Sequence, residues 1–134
     1  MELEKQVVSL DLSKKLKELG VKQESLFYWH RSYDPFKQQE NEPYVLFAPN
    51  NKAKEIDFSA YTVAELGELL PSCSRFQDGK VWDLAIASEP EVWEVMYHSV
   101  VREETLNIFI DRSEANARAK MLIYLLENKL IQLS

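Results

Sequence analysis

Apolar residues recur at helical spacing in three parts of the chain. In the first part, Ser9 is placed to cap a helix and Gly20 is placed to end it. The apolar positions of this predicted helix are Val8, Leu12, Leu16 and Leu19. Charged residues separate these positions, which is typical of an amphipathic helix with one buried stripe.

The second helical stretch carries a strong start signal. Thr62 and Glu65 have the spacing of a capping box, in which each side chain binds a backbone N–H that the helix leaves unpaired. Tyr61 and Leu66 occupy the positions of a hydrophobic staple. Pro71 is expected to end this short helix. Its predicted buried stripe consists of Val63, Leu66, Leu69 and Leu70.

The chain closes with a longer helical pattern that opens at Ser113 or Asp111. Asn128 is a plausible left-handed residue at which it ends. The apolar stripe is wide, which predicts a helix buried deeply against a sheet. The stripe contains Ala115, Ala117, Ala119, Met121, Leu122, Tyr124, Leu125 and Leu126.

Five short runs are rich in strand-forming residues, and the last three also alternate apolar and polar positions. They are residues 25–31, 44–48, 81–87, 92–98 and 106–110. The first two are expected to pair with each other. Short connections favour an antiparallel meander for the last three. The polar stretches between these elements are expected to be loops: 32–43, 49–58 and 71–79.

The predicted order of elements is therefore α-β-β-α-β-β-β-α. The 134 residues suit one domain, so we expect residues 1–134 to form a single unit. The predicted class is α+β, with one mainly antiparallel sheet of four to five strands packed with three helices.

The charge of the chain disfavours binding to nucleic acid. The formal net charge is −6, whereas duplex binding requires clustered Lys and Arg. The densest basic group is Lys14, Lys15 and Lys17, which we interpret as a solvated helix face. We expect no nucleic-acid partner. A contact through the aromatic strands is the weakest alternative that we carry.

Cysteine usage and hydropathy favour the cytoplasm. Cys73 is the only cysteine, so the chain has no internal disulfide, as is usual in a reducing compartment. No stretch approaches the roughly 18 apolar residues of a membrane span. The first residues alternate charge and lack an apolar leader. We expect a cytoplasmic protein that does not contact a membrane.

Two histidines are candidates for a metal or general-base site. His30 and His98 both fall at the far end of a predicted strand, where they could meet beside a carboxylate such as Asp34 or Glu94. The alternative is two rim histidines with separate hydrogen bonds. The alternative is favoured because neither histidine has metal-ligand spacing to another.

Two further candidates are a thiol and a pair of strand carboxylates. Cys73 lies near Arg75, which could lower its pKa, although no base can be placed beside it. Asp83 and Glu94 interrupt apolar strands. They are buried carboxylates if both faces of the sheet are covered, and ordinary polar positions if one face meets water; the second reading is favoured.

Cofactor binding and stacking on bases receive little support. The three isolated glycines cannot build a dinucleotide or phosphate loop, and we expect no cofactor. Core packing explains most of the aromatic residues, and one or two exposed rings could anchor a protein partner. The aromatic residues considered are Phe27, Tyr28, Trp29, Trp82, Trp93 and Tyr97.

Three segments carry a resemblance: VVSLDLSKKLKELGVKQESLFYW, YTVAELGELLP and EANARAKMLIYLLENKLI. They resemble a group of small uncharacterised proteins of bacterial genomes and their prophages. The layout of the second half, with Trp on a central strand and an Ala-rich closing helix, is similar to the phage α/β/α-sandwich family. The resemblance implies an origin in a mobile element. The three segments contain no catalytic motif, so the resemblance assigns no functional residue to this chain.

The function that we expect is that of a non-catalytic accessory protein of a phage or mobile element, acting by protein–protein interaction. The alternative is a small-molecule or metal-binding domain, with or without enzymatic activity, that uses His30, His98 or a strand carboxylate. An open sheet edge could also pair with a second copy, so a homodimer is compatible with the sequence.

Overall fold

The computed structural model describes residues 2–31, 44–49, 56–99, 101 and 103–133. In these residues a short 3-10 helix, Leu3–Lys5, precedes three α-helices: α1 (Leu10–Glu18), α2 (Val63–Leu69) and α3 (Glu114–Glu127). The strands are β1 (Tyr28–His30), β2 (Val45–Phe47), β3 (Phe58–Ser59), β4 (Cys73–Arg75), β5 (Val81–Glu89), β6 (Val92–Ser99) and β7 (Glu104–Asp111).

The strands form two antiparallel sheets instead of the single sheet that we expected. The small sheet has the order β2-β1-β3, and the large sheet has the order β4-β5-β6-β7. The α+β class and the three helices are confirmed. The pairing of β1 with β2 and the meander of β5, β6 and β7 are confirmed as well.

The predicted order of elements was incomplete because two strands are short. β3 has two residues and pairs with β1, and β4 lies in the stretch 71–79 that we expected to be a loop and pairs with β5. β1 and β2 are equally short, but they lie within apolar and aromatic runs, whereas β3 and β4 adjoin or lie within polar stretches and are defined by the neighbouring strand. The predicted loop 32–43 and residues 50–55 of the predicted connection lie outside the described residues.

The start of α2 is the capping box that the sequence predicts. The Glu65 backbone N–H donates to Thr62 Oγ1 at 3.2 Å, and the Thr62 backbone N–H donates to Glu65 Oε1 at 3.0 Å. Tyr61 and Leu66 are both buried in the core. Local side-chain chemistry is therefore sufficient to place this helix.

The start of α1 differs from the prediction. Ser9 occupies the N-cap position, but its side chain makes no capping hydrogen bond. Its backbone N–H instead donates to Asn116 Oδ1 at 2.8 Å, which ties the beginning of α1 to α3. Gly20 ends the helix at a φ of 89°, as predicted.

The closing helix, α3, opens at Ser113, one of the two predicted positions. Its buried stripe differs from the prediction at Ile123, which is buried, and at Tyr124 and Leu126, which are half-buried. The Asn116 backbone N–H donates to Ser113 Oγ at 3.2 Å, which makes Ser113 the cap. The left-handed residue after the helix is Lys129, with a φ of 55°, and the expected residue Asn128 has a φ of −92°. The buried residues of α3 are Ala115, Ala117, Ala119, Met121, Leu122, Ile123 and Leu125.

The core lies between α3 and one face of the large sheet, which we call the inner face. α3 contacts β6 and β7, and it also contacts α1 and α2. Trp82, Val95 and Tyr97 are buried on the inner face. The Tyr97 hydroxyl donates to the Pro71 carbonyl oxygen at 2.7 Å, so this fully buried ring also has its polar atom paired.

Across the described part of the chain, none of the helices has the length and apolar character needed to cross a bilayer.

Candidate functional site

The face of the large sheet opposite α3, which we call the outer face, gathers most of the candidate side chains. Successive side chains of a strand point to opposite faces, so the positions that alternate with buried Trp82, Val95 and Tyr97 belong to the outer face. On β5 and β6 these positions are Val81, Asp83, Ala85, Ala87, Glu89, Val92, Glu94, Met96 and His98.

The strand register aligns four of the polar side chains of the outer face in one row. Cys73 is paired with Asp83, Asp83 with His98, and His98 with Thr105. The row therefore crosses all four strands. Directly opposed side chains are neighbours, with Cβ atoms about 5 Å apart. The sequence shows no sign of this row, because register is a property of strand pairing.

The thiol in this row is not activated. A hydrogen bond to the Asp83 carboxylate, together with its negative charge, raises the pKa of exposed Cys73. Arg75, which we considered as a group that lowers this pKa, donates from Nη1 to the Gly79 carbonyl oxygen at 2.7 Å. Since the thiolate is the nucleophile, this environment does not favour covalent catalysis.

His98 and His30 do not form a common site. His98 lies in the large sheet with Nδ1 3.4 Å from Thr105 Oγ1, whereas His30 lies in the small sheet. Among the side chains that the structure describes, no group of three His, Cys, Asp or Glu residues is arranged to hold a metal ion. Asp34, which we considered as a partner of these histidines, lies outside the described residues.

His30 has a carboxylate partner that the sequence analysis missed. Its Nδ1 lies 2.7 Å from Asp57 Oδ1, with the Asp57 side chain 1 % exposed and the His30 side chain 22 % exposed. The centre of the Phe47 ring lies 5.0 Å from the centre of the imidazole ring. A carboxylate on Nδ1 fixes the orientation of the ring and leaves Nε2 for a further partner. Only the pairing of β1 with β3 reveals this contact, because 27 residues separate the two side chains.

The two strand carboxylates on the outer face are ordinary polar positions. Asp83 is exposed, and Glu94 is half-buried between Ala87 and Ile110 in the register. This agrees with the reading in which one face of the sheet meets water.

The outer face also exposes large aliphatic side chains. Val81 is 45 % exposed, Ile108 is 45 % exposed and Ile110 is 51 % exposed. Ile108 is paired with Met96, and Met96 with Ala85. Ala85 and Ala87 of β5 have short side chains, so the longer side chains of β6 and β7 project further from the sheet. Ile108, Ile110 and Met96 therefore form an apolar surface on one side of the polar row, and Val81 lies on the other side of that row.

Most of the aromatic residues belong to the core. Tyr28, Trp82 and Tyr97 are buried, and Trp29 Nε1 donates to the Val8 carbonyl oxygen at 2.9 Å. These rings form no exposed stacking platform, so packing explains them.

Comparison of the chain with known protein families, with curated proteins and with solved structures finds no match.

Proposed function

We propose that this protein is a non-catalytic accessory protein that acts by binding a protein partner on the outer face of the large sheet. The observation that carries the proposal is the exposure of Ile108 and Ile110, which are neighbours on the outer face of β7 and continue across the sheet into Met96 and Ala85. Contiguous exposed apolar surface is typical of interaction sites, whereas single exposed aliphatic residues are ordinary.

The charges on this face indicate the chemistry of the partner. Asp83, Glu89 and Glu94 border the aliphatic side chains, and the whole chain carries a formal net charge of −6. A partner with an apolar centre and Lys or Arg at its rim would complement this surface.

A second copy of the chain fits this face less well. In a two-fold dimer the same patch meets itself, so the acidic borders of the two copies would be brought together. We therefore propose a basic partner on the outer face, and a homodimer stays a separate prediction from the sequence. Origin in a phage or mobile element likewise stays a prediction from the resemblance.

The alternative function, a small-molecule or metal-binding domain, has one observation in its favour. The buried Asp57 carboxylate orients the partly exposed imidazole of His30, as carboxylates do for histidines that bind ligands or move protons. The same pair also joins β1 to the residue just before β3, so its geometry serves the fold without any ligand.

The test compares capture of partners by three versions of the full chain expressed in the native host. Ile108→Asp/Ile110→Asp places charges in the apolar surface, and Leu26→Asp is the control, since Leu26 is 64 % exposed but lies outside the outer face. We expect one stoichiometric partner on the wild type and on the control. The double variant should bind that partner at least about tenfold more weakly.

Two outcomes would contradict the proposal. One is equal binding of the partner by the double variant and the wild type. The other is a monomer–dimer equilibrium that the double variant abolishes in analytical ultracentrifugation, which would assign the outer face to self-association. Photo-crosslinking from position 108 to the captured partner then shows whether its contacting surface has a basic rim.

A further inference from the structure

The two edge strands of the large sheet differ greatly in length. In the order β4-β5-β6-β7, the edge strand β4 has three residues and the edge strand β7 has eight. An edge strand presents backbone N–H and C=O groups to which another strand can bind, and a very short edge strand limits this hazard. Of these two strands, β7 is therefore the one suited to the addition of a further strand.

The outward backbone groups of β7 belong to Ile108 and Ile110. The Ile108 N–H donates to Asn107 Oδ1 at 2.8 Å, and Lys120 Nζ donates to the Ile110 carbonyl oxygen at 3.3 Å. These two backbone groups thus bind side chains instead of β6. Backbone direction alternates along a strand with the same period of two residues as side-chain direction. The residues that expose aliphatic side chains on the outer face therefore also turn their backbone groups away from β6.

The two side chains that bind these groups, Asn107 and Lys120, come from different elements, and we call them the edge pair. Asn107 lies where the register of β7 on β6 shifts by one residue, so that Leu106 and Asn107 are both opposite Tyr97. Such a bulge re-aims a side chain. Lys120 belongs to α3, and its ammonium also pairs with the Asp111 carboxylate at 2.9 Å. Lys120 is therefore held beside the end of β7.

The edge pair occupies the donor and the acceptor that a second copy of the chain would need. Two copies of β7 related by a two-fold axis would form an antiparallel pair, whose hydrogen-bonded positions need outward backbone groups on both strands. Ile108 opposite Ile110 of the second copy meets this condition. In that register the Ile108 N–H of each copy would donate to the Ile110 carbonyl oxygen of the other. These are the two groups that Asn107 and Lys120 bind.

The side chains of β7 would favour such pairing. Ile108 is 45 % exposed and Ile110 is 51 % exposed, and aliphatic side chains that lie opposite each other stabilise neighbouring strands. An exposed edge with apolar side chains is a typical site of aggregation, and natural sheets protect such edges with bulges and with lysine. Both kinds of protection are present at β7.

We propose that Asn107 and Lys120 close the edge of β7 and so prevent this chain from pairing with a second copy of itself through the large sheet. The inference goes beyond the proposed partner interaction, because that interaction uses side chains of the outer face and the closure concerns the backbone of β7. Its test uses this chain alone, so failure of the partner interaction leaves it intact.

The experiment is sedimentation velocity of the full chain over a range of concentrations. The wild type should remain monomeric. Asn107→Ala/Lys120→Ala should dimerise, with an association constant at least about tenfold greater than that of the wild type.

The matched control is Thr105→Ala/Lys22→Ala, which also removes one polar side chain from β7 and one lysine from the chain. Thr105 is paired with His98, and Lys22 pairs with Glu24 at 3.3 Å, so the edge pair stays in place. This control should remain monomeric like the wild type.

A further substitution tests whether the dimer uses the backbone of β7. Ile108→Pro removes the outward N–H, and an edge strand tolerates proline where the N–H faces away from the sheet. Added to Asn107→Ala/Lys120→Ala, it should return the association constant to the wild-type level. Ile108→Ala in the same background removes the isoleucine side chain but keeps the N–H. It should retain most of the dimer.

Circular dichroism of each protein establishes that it is folded. If Asn107→Ala/Lys120→Ala is unfolded, Asn107→Ala alone repeats the test, because it leaves Lys120 paired with Asp111. Three results would overturn the proposal. The first is a wild type that is already dimeric. The second is a double variant that associates no more than its matched control. The third is a dimer that survives Ile108→Pro, which would place the contact away from the edge of β7.

Discussion

The imidazole of His30 and the carboxylate of Asp57 are held together with Nδ1 2.7 Å from Oδ1, in a position where Asp57 is almost fully buried. The contact joins β1 to the residue that precedes β3, the strand of only two residues. A buried carboxylate needs hydrogen-bond donors, because its removal from water is costly. This pair is therefore a structural tie of the small sheet.

Removing the imidazole should destabilise the fold. A hydrogen bond to a charged group contributes about 1.5–3 kcal/mol, so His30→Ala should lower the free energy of unfolding by that amount. Urea denaturation followed by circular dichroism measures it. The matched control is His98→Ala, whose partner Thr105 is 3.4 Å away at an exposed position, and its effect should stay within about 0.5 kcal/mol. Equal losses in the two variants would contradict a special role of the Asp57 contact.

The two helix starts should respond differently to loss of a hydroxyl. Thr62→Ala removes the acceptor of the Glu65 N–H and should destabilise the protein by about 1 kcal/mol. Ser9→Ala should have almost no effect, because the Ser9 side chain makes no capping hydrogen bond. Thermal unfolding of the two variants side by side tests this. A loss for Ser9→Ala as large as that for Thr62→Ala would show that Ser9 does cap α1 in solution.

Stability should fall in strongly alkaline solution because of buried tyrosines. Burial raises the pKa of Tyr61 from 10.0 to about 12, and burial also raises the pKa of Tyr97. Above pH 10 the unfolded chain loses these protons while the folded chain retains them, so the free energy of unfolding decreases as the pH rises. The slope is at most about 1.4 kcal/mol per pH unit for each tyrosine.

Urea midpoints between pH 9 and pH 12 measure this decrease. Tyr61→Phe should have a shallower slope than the wild type between pH 10 and about 12, since one of the shifted groups is gone. Identical slopes for the two proteins would mean that Tyr61 titrates normally in the fold.

The outer-face carboxylate next to Cys73 should slow alkylation of the thiol. Asp83 raises the pKa of Cys73 by its hydrogen bond and its charge, so Asp83→Asn should lower that pKa and increase the thiolate fraction. We expect reaction with iodoacetamide at pH 8 to become roughly threefold faster. Glu94→Gln is the control, because Glu94 lies opposite Ala87 and away from Cys73 on the same face. An unchanged rate in Asp83→Asn would refute the assigned hydrogen bond.

Several elements of this fold could be predicted from nearby residues alone. The start of α2 depends on Thr62 and Glu65, which are three positions apart, and the end of α1 depends on the left-handed backbone of Gly20. The apolar stripe of α3 and the alternation in β5, β6 and β7 also predicted the correct elements. In α3, β5 and β6 the periodic pattern also assigned the buried face. In β7 it did not, because the predicted apolar side chains Ile108 and Ile110 are exposed while Phe109 packs against the core.

The tertiary structure decided the contacts between distant positions. It placed Asp57 on His30, Asn116 on the backbone of Ser9, and Cys73 beside Asp83. It also divided the strands into two sheets, because β3 and β4 are strands only by virtue of their neighbours. Such contacts depend on strand register and on which face a helix covers, and neither property is encoded at a fixed spacing along the chain.

The candidate surfaces also depend partly on the local sequence and partly on tertiary contacts. The sequence by itself determined that Asp83 and Glu94 interrupt apolar strands, and that α1 carries closely spaced lysines. Only the tertiary structure decided that α3 covers the inner face and leaves Ile108 and Ile110 exposed on the outer one. It likewise brought Lys14 and Arg31 to the same tyrosine ring. Exposure and charge proximity are properties of the packed chain, because they depend on what the rest of the fold covers.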